Sequence, residues 1–277
     1  MPSLFQELNS LMVKHGFKPN RRMGQNFIIE EKIIGRMLEA AHLHAGDTVL
    51  EIGAGTGFLT RELLKNAKVV AVELDETLCA VLSETLGQNP NFTLICGDFL
   101  NAQLPPFAKI VSLPPYAISS GLIYRLSELE FEFALLVFQR EFANKLTAEP
   151  GFMEYGTISV AANYFFEPQI IIGNISPACF FPKPNSFSSL VKLTPKKRFG
   201  KARNEKMFLK FVKSVFRYKN KNLRNALDKA YPFFAKECKI GAEKFSALVD
   251  SLEHKDEKVC FLPVGSFVEI SNKLFPK

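Results

Sequence analysis

The stretch TVLEIGAGTG, residues 48–57, decides the fold: a short apolar strand runs straight into glycines at 53, 55 and 57. Glycine lets the backbone turn sharply and come close to a ligand. Residues 58–66 then read as a helix, so the loop sets backbone N–H groups at a helix start, where a polar ligand group can be held. A plain tight turn would use the same glycines, so the loop alone does not settle function.

Outward from this loop, strand and helix alternate. Residues 69–72, 92–96, 110–113 and 133–138 read as further strands, with helices over 77–86 and 119–129. That rhythm points to an α/β fold with a doubly wound, mostly parallel sheet. A helix over 157–163 and two strands, 169–172 and 187–193, follow. Ahead of the loop, residues 1–45 read as helix, loop, helix, and the loop KPNRRMGQNF is basic. The segment TPKKRFGKARNEK (194–206) breaks the pattern as a linker. Beyond it, Phe208, Phe211, Val212, Val215 and Phe216 recur at helical spacing, which predicts a small C-terminal α-helical domain. The expected division is 1–195 and 196–277.

A hydrophobic content of 47% supplies a sizeable core and argues against disorder. No apolar run reaches the roughly 18–20 residues that span a bilayer. The start MPSLFQELNSLMVKHG lacks the pattern of a secretory signal, so a cytoplasmic protein is expected, without a membrane partner. Five widely spaced cysteines with no CxxC read as reduced thiols, and four histidines show no metal-ligand spacing, so no metal is expected. Net charge is +7, unevenly spread. From Lys196 onward there are 20 basic and 9 acidic residues, against 15 and 19 before it. Such asymmetry is a footprint of nucleic-acid binding, although a solvated face has the same composition.

Two carboxylates give the glycine loop a meaning. Glu73 ends the second strand, 20 residues after Gly53, the separation at which an acidic side chain reaches ribose hydroxyls. Asp98 follows Gly97 at the end of the third strand, where it can accept from an adenine amine. Three successive strand ends thus form one nucleoside-type site. The glycine spacing is not GxGxxG and there is no second nucleotide half, which favours S-adenosylmethionine over a dinucleotide.

The loop Leu113-Pro114-Pro115-Tyr116 after the fourth strand resembles the [Asn/Asp/Ser]-x-Pro-[Tyr/Phe] motif of methyltransferases that act on exocyclic amines. VSLPPYAISSGL resembles the longer Asn-Leu-Pro-Tyr-x-Ile-Ser signature of small-subunit ribosomal RNA adenine dimethyltransferases and their erythromycin-resistance relatives. RRMGQNFI (21–28), EYGTISV (154–160), PACFFPKPNSFSS (177–189) and VFRYKNKNLRNAL (215–227) resemble further blocks of that family, in order, over roughly residues 14–275. The resemblance implies a Rossmann-like seven-stranded methyltransferase sheet. It implies that Asn26, Ile28, Gly53, Gly55, Glu73, Asp98 and the backbone at Leu113 hold S-adenosylmethionine. It implies a catalytic loop of Leu113, Pro115 and Tyr116, with Tyr116 and Phe180 stacking a flipped adenine. The implied substrate is two adjacent adenines near the 3′ end of small-subunit rRNA, and the partner is the small ribosomal subunit. The candidate RNA surface comprises Arg21 and Arg22 with Arg217, Lys219, Lys221 and Arg224. A monomer is expected.

The chain departs from the family pattern at Leu113, where Asn is usual, at Ala117 and at Thr157. Leucine offers no acceptor to an amine proton, and a missing transition-state hydrogen bond costs on the order of 10²–10³ in rate. Ser112 is one residue off and substitutes only if the loop shifts. Three readings follow: an active dimethyltransferase, a ribosome-assembly factor with weak or absent methyl transfer, and a DNA-directed or transcription-related adenine methyltransferase homologue.

Overall fold

The computed structural model describes residues 2–196, 201–238 and 241–275. Residues 197–200 of the expected linker lie outside them. The chain begins with α1 (Leu4–His15), β1 (Phe27–Ile28), α2 (Glu31–Ala41) and β2 (Thr48–Ile52). It continues through α3 (Phe58–Leu63), β3 (Lys68–Glu73), α4 (Glu76–Leu86), β4 (Phe92–Cys96), β5 (Lys109–Ser112) and α5 (Ser119–Leu126). Next come β6 (Phe133–Gln139), α6 (Arg140–Thr147), α7 (Thr157–Phe165), β7 (Phe166–Ile175), β8 (Phe180–Phe181) and β9 (Ser188–Pro195). The remaining helices are α8 (Glu205–Val215), α9 (Leu223–Ala230), α10 (Ala235–Cys238), α11 (Ala242–Asp250) and α12 (Val264–Leu274).

The α/β fold predicted from the strand–helix rhythm is the one observed. Seven strands form one sheet in the order β4-β3-β2-β5-β6-β9-β7. The pairs β2–β3, β3–β4, β2–β5 and β5–β6 are parallel, and β6–β9 is antiparallel. Successive strands step outward from β2 to β4, then resume on its other side at β5. The point of reversal lies between β2 and β5, and ligands in open α/β sheets bind outside the strand ends at such a point. The central strands read as apolar runs because helices cover both faces: Val49, Leu50, Val69, Ala71, Ile110 and Leu135 are all buried.

Side chains cap the starts of α1 and α4. Ser3 accepts from Gln6 N–H while the Gln6 side chain returns the bond, and Gly16 ends α1 in the left-handed region. Asp75 caps α4 through the N–H groups of Thr77 and Leu78. One feature absent from the sequence reading is a two-stranded antiparallel ribbon, in which Phe27 pairs with Phe181 and Ile28 with Phe180.

The chain divides into two compact units. One holds the residues up to Ala143 with Glu167–Pro195; the other holds Asn144–Phe166 and the residues from Lys196 onward. The second is built around aromatic contacts. The Tyr164 ring lies 4.6 Å from that of Phe208, and the buried Tyr155 hydroxyl donates to Leu262 O at 2.9 Å. Among the described residues, no helix is long and apolar enough to cross a membrane.

Candidate active site

The strand ends of the first unit enclose a cavity of about 310 Å³. Its floor is the loop after β2. Gly53, Gly55 and Gly57 all have positive φ, which side chains rarely adopt. At Gly53 a Cβ would also lie 2.8 Å from Pro115 Cδ, so the loop after β2 and the loop after β5 touch only because this position has no side chain.

Glu73 ends β3 and lines the cavity. Its Oε2 accepts the Gly55 N–H at 2.8 Å, and its Oε1 accepts those of Leu74 at 2.9 Å and Asp75 at 3.0 Å. Burial holds the carboxyl above its ordinary value, and these three donors, which favour the charged form, offset only part of that rise. Oε2 carries a single backbone donor and keeps capacity for a hydroxyl. Asp98, beyond β4, also lines the cavity. Its two oxygens accept Leu100 N–H at 2.9 Å and Asn101 Nδ2 at 2.8 Å.

The residues that follow these carboxylates were missed by the sequence reading. Leu74 and Phe99 line the same cavity, with Leu74 55% exposed at the surface side. The usable signal was an apolar residue directly after each strand-end acid. Met23 and Phe27 add apolar wall from the N-terminal loop. Asn26 lines the cavity and anchors that loop through Nδ2 to Gly24 O at 2.9 Å. Ile28 does not line it; it is buried in the ribbon opposite Phe180.

Leu113, Pro114, Pro115 and Tyr116 all reach the cavity. Leu113 is half-buried, and its side chain packs against the core. Ser112 is fully buried, donates to Ile52 O at 2.5 Å and accepts from Ile52 N–H at 3.1 Å. It does not line the cavity, so its hydroxyl does not replace the missing Asn side chain. The Tyr116 hydroxyl is 2.6 Å from Ser188 Oγ, and burial raises its pKa, so the ring stays neutral. Phe180 lines the cavity from the ribbon and is 2% exposed.

Of the basic residues, Arg22 lines the cavity and Arg21 is exposed beside it in sequence. The C-terminal group lies in the second unit, and most of it is engaged there. Arg217 lies 4.1 Å from the Phe233 ring centroid, Lys219 Nζ donates to Met153 O at 3.1 Å, and Arg224 pairs with Asp250 at 2.5 Å. Lys221 is exposed, with no side-chain partner among the described residues. Also among those residues, no group of three or more His, Cys, Asp or Glu is placed to hold a metal ion.

Residues 16–241 match the ribosomal RNA adenine dimethylase family. The chain is 35% identical over 266 residues, 95% of each chain, to a probable ribosomal RNA small subunit methyltransferase A of Pyrococcus abyssi. It is 40% identical over 220 residues to the protein of that name from Methanopyrus kandleri, spanning 78% of this chain and 79% of that one. Among solved structures it resembles a dimethyladenosine transferase from Plasmodium falciparum, with a TM-score of 0.77, 25% identity, and coverage of 88% and 95% of the two chains. It also resembles the 23S rRNA methyltransferase ErmE, with a TM-score of 0.64, 27% identity, and coverage of 90% and 99%.

Proposed function

The chain belongs to the ribosomal RNA adenine dimethylase family, and from that premise we propose that it dimethylates two adjacent adenines near the 3′ end of small-subunit rRNA, using S-adenosylmethionine. Bound S-adenosylmethionine supplies an electrophilic sulfonium methyl. The cavity suits that cofactor: it pairs two carboxylates for ribose and adenine with apolar neighbours for a purine face.

Within this reading, Glu73 accepts the ribose hydroxyl protons and Asp98 accepts from the adenine amine. Leu74 and Phe99 flank the base, while Gly53 and Gly55 leave room for the rest of the cofactor. The target adenine leaves its stack and lies against Tyr116 and Phe180. Its exocyclic amine is a poor nucleophile, because the lone pair is delocalised into the ring. Acceptors for its protons favour a pyramidal nitrogen and aim that lone pair; this is positioning and electrostatics, without a covalent intermediate. The Pro114 backbone carbonyl serves as one acceptor. Leu113 supplies none, so turnover is slower than an Asn-bearing loop would give. The protein acts as a monomer on the small subunit in the cytoplasm.

One observation carries the proposal: the ends of β2, β3, β4 and β5 bring Gly53, Glu73, Asp98 and Tyr116 to a single cavity. A second reading, a ribosome-assembly factor that binds the subunit without transferring methyl groups, is favoured by the committed Ser112 hydroxyl and the core-packed Leu113. Incubating the protein and labelled S-adenosylmethionine with undermethylated small subunits separates the two. Label in the rRNA supports the first, and tight subunit binding without label supports the second.

A further inference from the structure

At the last rung of the β6–β9 ladder, Gln139 pairs with Ser188, the residue whose hydroxyl meets Tyr116 at 2.6 Å. The chain on either side of that rung carries Arg140 and Phe187. The Arg140 N–H donates to Phe187 O at 2.9 Å, which extends the ladder and fixes both backbones. The Arg140 guanidinium lies 5.3 Å from the Phe187 ring centroid and donates to Asn174 Oδ1 at 3.2 Å. Phe187 is 41% exposed, and Arg140 is also exposed.

Phe187 immediately precedes β9 and is one of the exposed large apolar side chains of the molecule, so covering its ring would be favourable. Here the backbone is pinned by the ladder, and one cation is already drawn onto the ring. The result is an aromatic ring with a guanidinium over one face, one residue along the chain from Ser188, whose hydroxyl meets that of Tyr116. Unpaired RNA is held by this combination: a base stacks on an aromatic or guanidinium plane while a cation meets the adjoining phosphate. Lys183, on the same segment, adds a further exposed cation.

The geometry points to Phe187 and Arg140 as a stacking platform for an unpaired nucleotide of the RNA strand next to the target adenine. The inference rests on the adenine-methylation reading, since the platform is placed by Phe187 being the chain neighbour of Ser188, the residue that meets Tyr116. It adds a second base site outside the cavity and a means of holding the strand while one base enters. Phe187 and Arg140 are positioning residues; neither touches the reacting atoms.

The test uses the full-length protein, saturating S-adenosylmethionine and an RNA hairpin whose loop carries two adjacent adenines. 2-Aminopurine, which loses fluorescence when stacked, is placed at the target adenine or at the nucleotide on either side of the pair. Binding should quench the probe at the target and at one flanking position. Phe187→Ala should abolish the flanking quench, retain the target quench and weaken RNA binding roughly tenfold. Phe187→Trp should restore the flanking quench, which a purely structural role of the ring would not predict. Arg140→Ala should weaken binding and reduce its salt dependence. Quenching at the target with no flanking response to Phe187→Ala overturns the platform alone. No quenching at any position overturns both the platform and the adenine-methylation reading. Unchanged hairpin binding with weakened binding to the intact small subunit would assign the surface to a ribosomal protein, which also overturns the proposal.

Discussion

Ser112 grips Ile52 by both polar groups of its backbone, accepting the N–H at 3.1 Å and donating to the carbonyl at 2.5 Å. The bond joins the end of β2, which feeds the glycine loop, to the end of β5, which feeds Leu113–Tyr116. The parallel ladder between these strands is recorded only at Val49–Lys109 and Leu50–Ile110, so the hydroxyl continues it towards the cavity. Ser112→Ala leaves two buried backbone groups without partners and should cost about 1–3 kcal/mol. Urea unfolding checks this, and an unchanged midpoint would show that Ile52 finds other partners.

Glu51 gives a pH prediction. It is buried inside β2; burial, with the Glu73 charge adding to it, pushes its carboxyl from 4.5 up to about 8. Its Oε2 has no hydrogen-bond partner among the described residues. Between pH 4.5 and about 8 the folded chain keeps a proton that the unfolded chain releases. The stability penalty is therefore absent at low pH, grows through that window and levels off above it. Glu51→Gln removes the titration, so the variant should gain stability relative to the parent between pH 5 and pH 8.5. Denaturation curves at the two pH values decide; parallel profiles would contradict the assignment.

Glu73 should matter for cofactor affinity. Glu73→Gln keeps the shape of the side chain but removes its charge, and charge-assisted hydrogen bonds contribute about 1.5–3 kcal/mol. Titration calorimetry should show S-adenosylmethionine binding weakened roughly 10- to 100-fold. An unchanged Kd would remove Glu73 from the cofactor site.

Of Arg217, Lys219, Lys221 and Arg224, Lys221 is the one whose side chain has no partner among the described residues, so within that group it is the most available to phosphate. RNA affinity should fall steeply with salt, and Lys221→Ala should reduce the slope of that dependence by about one. Salt-independent binding would contradict an electrostatic contact. Arg224, paired with Asp250, should alter the slope less.

Much of the sheet was legible because a central parallel strand covered on both faces is a continuous apolar run, and because glycines or acids close β2, β3 and β4. Residues 48–52 and 92–96 were read with their observed limits. The β1–β8 ribbon was not legible: two residues per strand are too few for any period to show, and the pairing spans some 150 positions. Nor does chain order announce that residues 144–166 pack with those beyond 195: Tyr155 meets Leu262, 107 positions away, and Tyr164 meets Phe208. In the site, the carboxylates stood out by spacing, whereas Leu74 and Phe99 looked like common core residues. The Ser112 bond was invisible for another reason. A buried serine one position before the motif reads as a candidate acceptor until its partner across the sheet is known.

The most direct measurement is mass spectrometry of the 3′ end of small-subunit rRNA after incubation of undermethylated subunits with the protein and labelled S-adenosylmethionine. Labelled dimethyladenine is expected at two adjacent positions, formed slowly by the parent chain and on the order of 10²–10³ faster by Leu113→Asn. Unlabelled rRNA from both proteins, with the subunit still bound, would contradict this expectation.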